Sequence, residues 1–176
     1  VKEGKIKKPK ALPEIKTEEV PFELPEGWEW VRIGDVTSYG MSEKISPEFI
    51  SDEMWVLELE DIEKITSRLL KKKYCYERKP KSTKAVFHRG NVIYGKLRPY
   101  LDKVIIADEN GVCTTEMIPL DGFEILDNNF IRWFLKSPEY ISYANDSTHG
   151  MNLPRLGTEK ARLALMPIPP LSEQRR

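Results

Sequence analysis

Residues 90–107 read GNVIYGKLRPYLDKVIIA. Two apolar runs, Val92–Tyr94 and Val104–Ala107, have strand character, and a cationic, aromatic turn separates them. That turn holds Lys96, Arg98 and Lys103 beside Tyr94 and Tyr100, with Gly95 and Pro99 as punctuation. Upstream, KAVF (84–87) adds another strand-like run, and Arg89-Gly90-Asn91 predicts the intervening turn. Downstream, ENGVCTTEMIPL (109–120) predicts a turn and a strand, with Asn110-Gly111 as the favoured two-residue hairpin dipeptide. The stretch EMWVLELEDI (53–62) reads as a strand followed by a turn, and PEGWEWVRIGDV (25–36) as the domain's start. Short strands with frequent turns therefore dominate up to about Leu126.

The pattern then changes period. In DNNFIRWFLKS (127–137), Phe130, Ile131, Phe134 and Leu135 fall at helical spacing, with Asp127 or Asn128 available as N-cap. SPEYISYAND (137–146) restarts a helix with Ser137 as N-cap, Pro138 at the first helical position and Glu139 in the first turn. STHGMNLPRLGT (147–158) reads as a polar loop, and LALMPIPPL (163–171) as an extended, proline-rich edge. Ser172 is placed to cap a new helical turn in SEQRR (172–176). The fold class expected is α+β: an irregular, heavily turned β-rich part followed by a small part resembling a helical hairpin. Trp28, Trp30 and Trp133 are expected in the core, and Trp55 is open to either assignment.

A chain of 176 residues can bury a substantial core, and its 40% hydrophobic content is that of a globular protein. No apolar run reaches bilayer-spanning length. Cys75 and Cys113 make neither a metal-spaced pair nor a disulfide framework, so a reducing cytoplasm is expected. There is no HExxH, Walker or GxSxG pattern, which leaves little for catalysis.

The zero net charge conceals segregation. Residues 1–10 carry five Lys and one Glu, while 11–63 hold three basic and fifteen acidic residues. From Lys64 to Val104 there are thirteen basic and two acidic residues. Such a segment can build a positive surface on a neutral protein. Equally, its charges can pair with the acidic segment in the fold, and the sequence leaves both readings open. The densest cations are Lys71, Lys72, Lys73, Arg78, Lys79, Lys81 and Lys84, interrupted by Tyr74, Cys75 and Tyr76.

Three short motifs in order carry a family resemblance. LPEGWEWVRIGDV (24–36), GNVIYGKLRPYLDKVIIA (90–107) with TTEMIPL (114–120), and PIPPLSEQRR (167–176) resemble a target recognition domain of a type I restriction–modification specificity subunit. The opening residues 3–30 also resemble the linker that leads into such a domain. The resemblance implies an extended linker over 1–26, the recognition domain over 27–171, and the start of a truncated spacer helix over 172–176. It implies a non-catalytic chain that reads one half of a bipartite sequence in double-stranded DNA. The partners implied are methyltransferase and restriction subunits, which would use S-adenosylmethionine, ATP and Mg²⁺, with no cofactor in this chain and no membrane association. A scaffold domain that mainly docks a methyltransferase subunit is the competing reading.

DNA readers need cations for phosphates and forked donors for base edges. The residues that meet this need are Tyr94, Lys96, Arg98, Tyr100 and Lys103 in the central turn, and Lys72, Lys73, Lys81 and Lys84 in the lysine run. Thr115, His149, Asn152 and Arg155 complete the expected DNA-contacting set. For each an ordinary structural role competes: Tyr100 packed under a hairpin, Arg155 bracing an acidic neighbour, Glu116 fixing Arg98 or another cation.

Overall fold

The computed structural model describes residues 10–176. Positions 1–9 of the expected linker lie outside the described residues. Residues 10–26 form no strand, make one tight turn at Thr17–Glu19 and enter a second at Glu26, and they lie against the domain rather than apart from it. Arg32, almost fully buried, holds them there. Its guanidinium donates to the Pro13 carbonyl at 2.8 Å, the Glu14 carbonyl at 3.2 Å and the Glu19 carboxylate at 2.9 Å. The Phe22 and Trp30 rings then meet edge to face at 5.1 Å.

Strand β1 (Glu29–Arg32) leads into a helical turn, α1 (Ile33–Val36), and the chain then builds two sheets by alternation. The first orders β2 (Lys44–Ile45), β4 (Lys84–Phe87), β7 (Gly111–Cys113) and β3 (Trp55–Leu57), with β3 and β7 parallel and the other pairs antiparallel. A short helix, α2 (Cys75–Arg78), lies between β3 and β4 in the chain. The second sheet is antiparallel, with β5 (Val92–Gly95) between β6 (Val104–Ile106) and β8 (Met117–Leu120). Trp55, Phe87, Ile93 and Met117 fill one core cluster drawn from both sheets, so Trp55 is a core residue.

Helices α3 (Asn128–Leu135) and α4 (Pro138–Asp146) cover the other face of β5 and β6. The caps are those read from the sequence: Asp127 accepts from the Asn129 N–H and Ser137 from the Tyr140 N–H. Ile131 and Leu135 turn inward, but Trp133 is 68% exposed, against the expectation that it is core. Its neighbours at helical spacing occupy the buried stripe, which leaves position 133 on the solvent face. A small hairpin of β9 (Thr148–His149) and β10 (Arg155–Leu156) follows, then α5 (Thr158–Leu163). Strand β11 (Leu165–Ile168), the expected proline-rich edge, pairs antiparallel with β1 and brings the two ends together. The last element, α6 (Leu171–Gln174), starts one residue before Ser172, with Pro170 at the cap position.

The fold is thus α+β, with one reading of local turn chemistry reversed. Asn110-Gly111 is not a hairpin turn, because β6 and β7 belong to different sheets and the chain crosses between them here. Gly111 serves packing instead: a Cβ at this position would stand 2.5 Å from the Phe87 ring and 2.7 Å from the Trp55 carbonyl oxygen.

Candidate nucleic-acid interface

Three cations of the run, Lys71, Arg78 and Lys84, pair with the acidic segment. Lys84, 5% exposed, reaches the Glu58 carboxylate at 2.7 Å. Arg78 pairs with the fully buried Asp61 and lies 3.5 Å from Glu60, while Lys71 sits 3.1 Å from Glu60 and 3.7 Å from Asp61. Lys72 bonds Asp108 at 2.7 Å, and its ammonium lies over the Trp55 ring at 4.3 Å. Lys103 donates to the Leu59 carbonyl at 2.7 Å, and burial pushes its pKa down. Lys84 is therefore a buried, paired cation, while Lys72 and Lys103 are half-buried and already engaged within the chain, which leaves these three less free for DNA than the sequence suggests. Lys73 and Lys81 have no side-chain partner among the described residues, and Lys81 is exposed.

Tyr94 is a second correction. Inward-facing on β5 and 2% exposed, it packs edge to face on Tyr140 at 5.8 Å, and burial raises its pKa well above the usual phenol value. Every residue of β5 is buried, and alternation places Tyr94 with Val92 on the face covered by the helices.

Apart from Lys73 and Lys81, the remaining predicted residues converge. Three loops meet where β5, β8 and the β9–β10 hairpin end. Lys96 N–H donates to the Glu116 carbonyl at 3.0 Å, and Leu156 N–H to the Lys96 carbonyl at 3.1 Å. Arg98 N–H donates to the Pro154 carbonyl at 2.7 Å, and Leu97 bridges Arg155 in antiparallel register. Arg98 and Asp102 both hold left-handed backbone, at φ 52° and 49°, on either side of the Pro99–Leu101 turn. Two non-glycine residues in that region mark a locally strained turn, held by its neighbours. Asp102 in turn is fixed by Lys136 at 2.7 Å.

On this framework Tyr100, Thr115, His149 and Asn152 are exposed, and Lys96 and Arg98 half-buried. Met151, 99% exposed, stands at the hairpin tip next to Gly150, whose φ of 93° suits only glycine comfortably. Arg98 Nη2 reaches the Asn152 carbonyl at 3.4 Å, and its buried Nε has no partner among the described residues. Arg155 faces His149 across the hairpin and donates from Nε to both Glu116 carboxylate oxygens, at 3.0 and 2.9 Å. That carboxylate raises the Arg155 pKa further. The bracing of Arg155 by an acid is thus real, and it leaves the rest of the guanidinium open. Lys44 belongs to the same region and was not among the expected residues. Although Lys44 is exposed, partial desolvation, with a contribution from the Lys96 charge, pushes its pKa down. Its place in the acidic stretch 11–63 hides it from a segment count.

No family model matches the chain. It is 31% identical to the EcoAI specificity subunit of Escherichia coli over a 196-residue alignment, covering 100% of this chain and 31% of that protein. It is 28% identical to the EcoDI specificity subunit of the same organism over 165 residues, covering 93% of this chain and 36% of the relative. The chain is a relative of type I restriction specificity subunits. It spans about a third of the length of these curated relatives. Among solved structures, a chain from a study of assembly and conformational transition in a type I restriction–modification system superposes with a TM-score of 0.76 at 25% identity, covering 88% of this chain and 41% of that one. The HsdS subunit of Thermoanaerobacter tengcongensis shares the fold, with a TM-score of 0.74 at 24% identity over 88% of this chain and 41% of its own.

Proposed function

We propose that this chain is the sequence-reading DNA module of a type I restriction–modification complex, recognising one half of a bipartite target. It is non-catalytic: it positions methyltransferase and restriction subunits on DNA, and the S-adenosylmethionine, ATP and Mg²⁺ chemistry belongs to those partners. The cytoplasm, where such a complex meets DNA, is its place of action. Among the described residues no helix is long and apolar enough to cross a membrane, and no group of acidic, His and Cys side chains is arranged to hold a metal. The single observation that carries the reading is the convergence of Lys96, Arg98, Thr115, His149, Asn152 and Arg155 on three mutually bonded loops. Base readers need donors of several geometries on a rigid support, with cations nearby for phosphate. Fluorescence anisotropy over a randomised duplex panel at several salt concentrations tests it. Selective binding that weakens steeply with salt is expected, and equal affinity for every sequence would refute it.

A second reading, a domain that chiefly docks a methyltransferase subunit, draws on a different feature. An apolar cavity of about 780 Å³ opens between the 10–26 segment and α4, lined by Phe22, Trp30, Phe134, Tyr143, Leu165 and Pro167. Tight association with a methyltransferase subunit, abolished by Trp30→Ala while DNA binding is intact, would favour it. The two roles are compatible within one domain.

A further inference from the structure

We infer that Arg155 is the base-reading residue of this interface, that the base it reads is guanine, and that Glu116 is its positioning residue. This rests on the DNA-reading function proposed above. Arg155 is pinned through Nε alone, by both oxygens of Glu116, and its side chain is 39% exposed. Nη1 and Nη2 have no partner among the described residues. A guanidinium held by its side in this way presents its end: two parallel N–H groups in a fixed fork. In the major groove only guanine offers two adjacent acceptors, O6 and N7, that match such a fork; adenine pairs its N7 with a donor.

A phosphate also accepts two parallel hydrogen bonds, and charge decides between the two ligands. Glu116 already neutralises Arg155, so a phosphate brought to the fork gains little from Coulomb attraction and meets a carboxylate beside the guanidinium. A guanine edge is neutral and dipolar, so it is not repelled in this way. The contrast within the same loops is Arg98, which has no carboxylate within salt-bridge distance among the described residues and bonds only the Asn152 carbonyl. Arg98 and Lys96 keep their charge for phosphate, while Arg155 keeps its geometry for a base. The fork is also supported from behind. Leu97 bridges Arg155 in the backbone, and His149 stands opposite it on the same face of the hairpin. Little conformational freedom is left to lose on binding.

The test is selection from a library of short duplexes with randomised centres, followed by sequencing, using the 176-residue chain and four variants. Wild type is expected to enrich a motif containing at least one guanine. Arg155→Ala and Arg155→Lys should flatten one guanine position by about 10-fold or more, and Arg155→Lys, which keeps a cation beside Glu116, should leave affinity for unrelated duplex within about two-fold. Glu116→Gln should weaken preference at that same position only. Arg98→Ala should lower affinity on all sequences alike and shallow the salt slope by about 1. Replacing the guanine by 7-deazaguanine should weaken wild-type binding and leave Arg155→Ala unaffected. Arg155→Lys retains the charge and the aliphatic stem, so a matching melting temperature separates lost reading from lost folding. A wild-type motif retained intact by Arg155→Ala, an even loss across all duplexes, or a loss at a base other than guanine would overturn the assignment alone. A wild type with no sequence preference would overturn the proposed function and this assignment together.

Discussion

Replacing Asp61 with alanine removes the carboxylate at the centre of the buried charge cluster. Asp61 is fully buried, pairs with Arg78, lies 3.7 Å from Lys71 and accepts the Glu58 N–H at 2.8 Å. Truncation leaves Arg78, whose side chain is 12% exposed, with only Glu60 at 3.5 Å, and its Nε already has no partner. Leaving one member of a buried pair uncompensated costs about 3–5 kcal/mol. For a chain of this size, about 2–4 °C of melting temperature accompanies each kcal/mol, so a fall of about 10 °C is expected. The double variant Asp61→Leu/Arg78→Met removes both charges and should recover at least about half of that loss, since an apolar pair of similar volume replaces the ion pair. Differential scanning fluorimetry on the three proteins reads both effects. A fall below about 3 °C for Asp61→Ala, or no recovery in the double variant, would refute the view that Arg78 is an internal cation. In the same series, Arg78→Ala should leave the salt slope of DNA binding unchanged, whereas Lys96→Ala should reduce it by about 1.

Three other outcomes follow from specific contacts. The Lys16 backbone N–H, followed by Arg32, holds the Glu19 carboxyl below its ordinary value of 4.5. A depressed folded-state pKa gives stability that is present above the unfolded value and lost as pH falls through the folded one. Protease sensitivity of residues 10–26 should therefore rise in acid below pH 4.5, with a protease active in acid as the probe, and Glu19→Gln should remove that pH dependence. Gly111→Ala places a Cβ against Phe87 and the Trp55 carbonyl, and should cost about 1–3 kcal/mol in urea unfolding. Trp133→Ala, on the exposed face of α3, should change stability by less than about 0.5 kcal/mol, where a core tryptophan would cost several times more.

Local chemistry was legible in the sequence wherever one element decides its own conformation. The apolar runs 92–94 and 104–106 became β5 and β6, Asp127 and Ser137 cap the helices, and Gly90 turns the chain at φ 92°. Partnerships across distance were not legible. The parallel pairing of β3 with β7 joins residues more than fifty positions apart, and no turn dipeptide announces it, so Asn110-Gly111 pointed to a hairpin that does not exist. The same limit applies to the charges. Composition identifies cations but not their carboxylates: Lys84 finds Glu58 26 positions away, Lys72 finds Asp108 36 away, and Arg155 finds Glu116 39 away. Each pairing subtracts a residue from the surface available to a polyanion, and in the Lys71–Lys84 run the subtraction removes most of the apparent positive patch. What remains is smaller and differently placed. Lys96 and Arg98, at the start of the central turn, lie where three loops bond to one another, and neither has an acid of this chain within salt-bridge distance among the described residues. A cation held on a rigid framework without an internal counter-charge retains its attraction for an external one. That is the physical reason the short turn at 96–100, rather than the longer lysine run, is the part of this sequence that faces DNA in the proposed function.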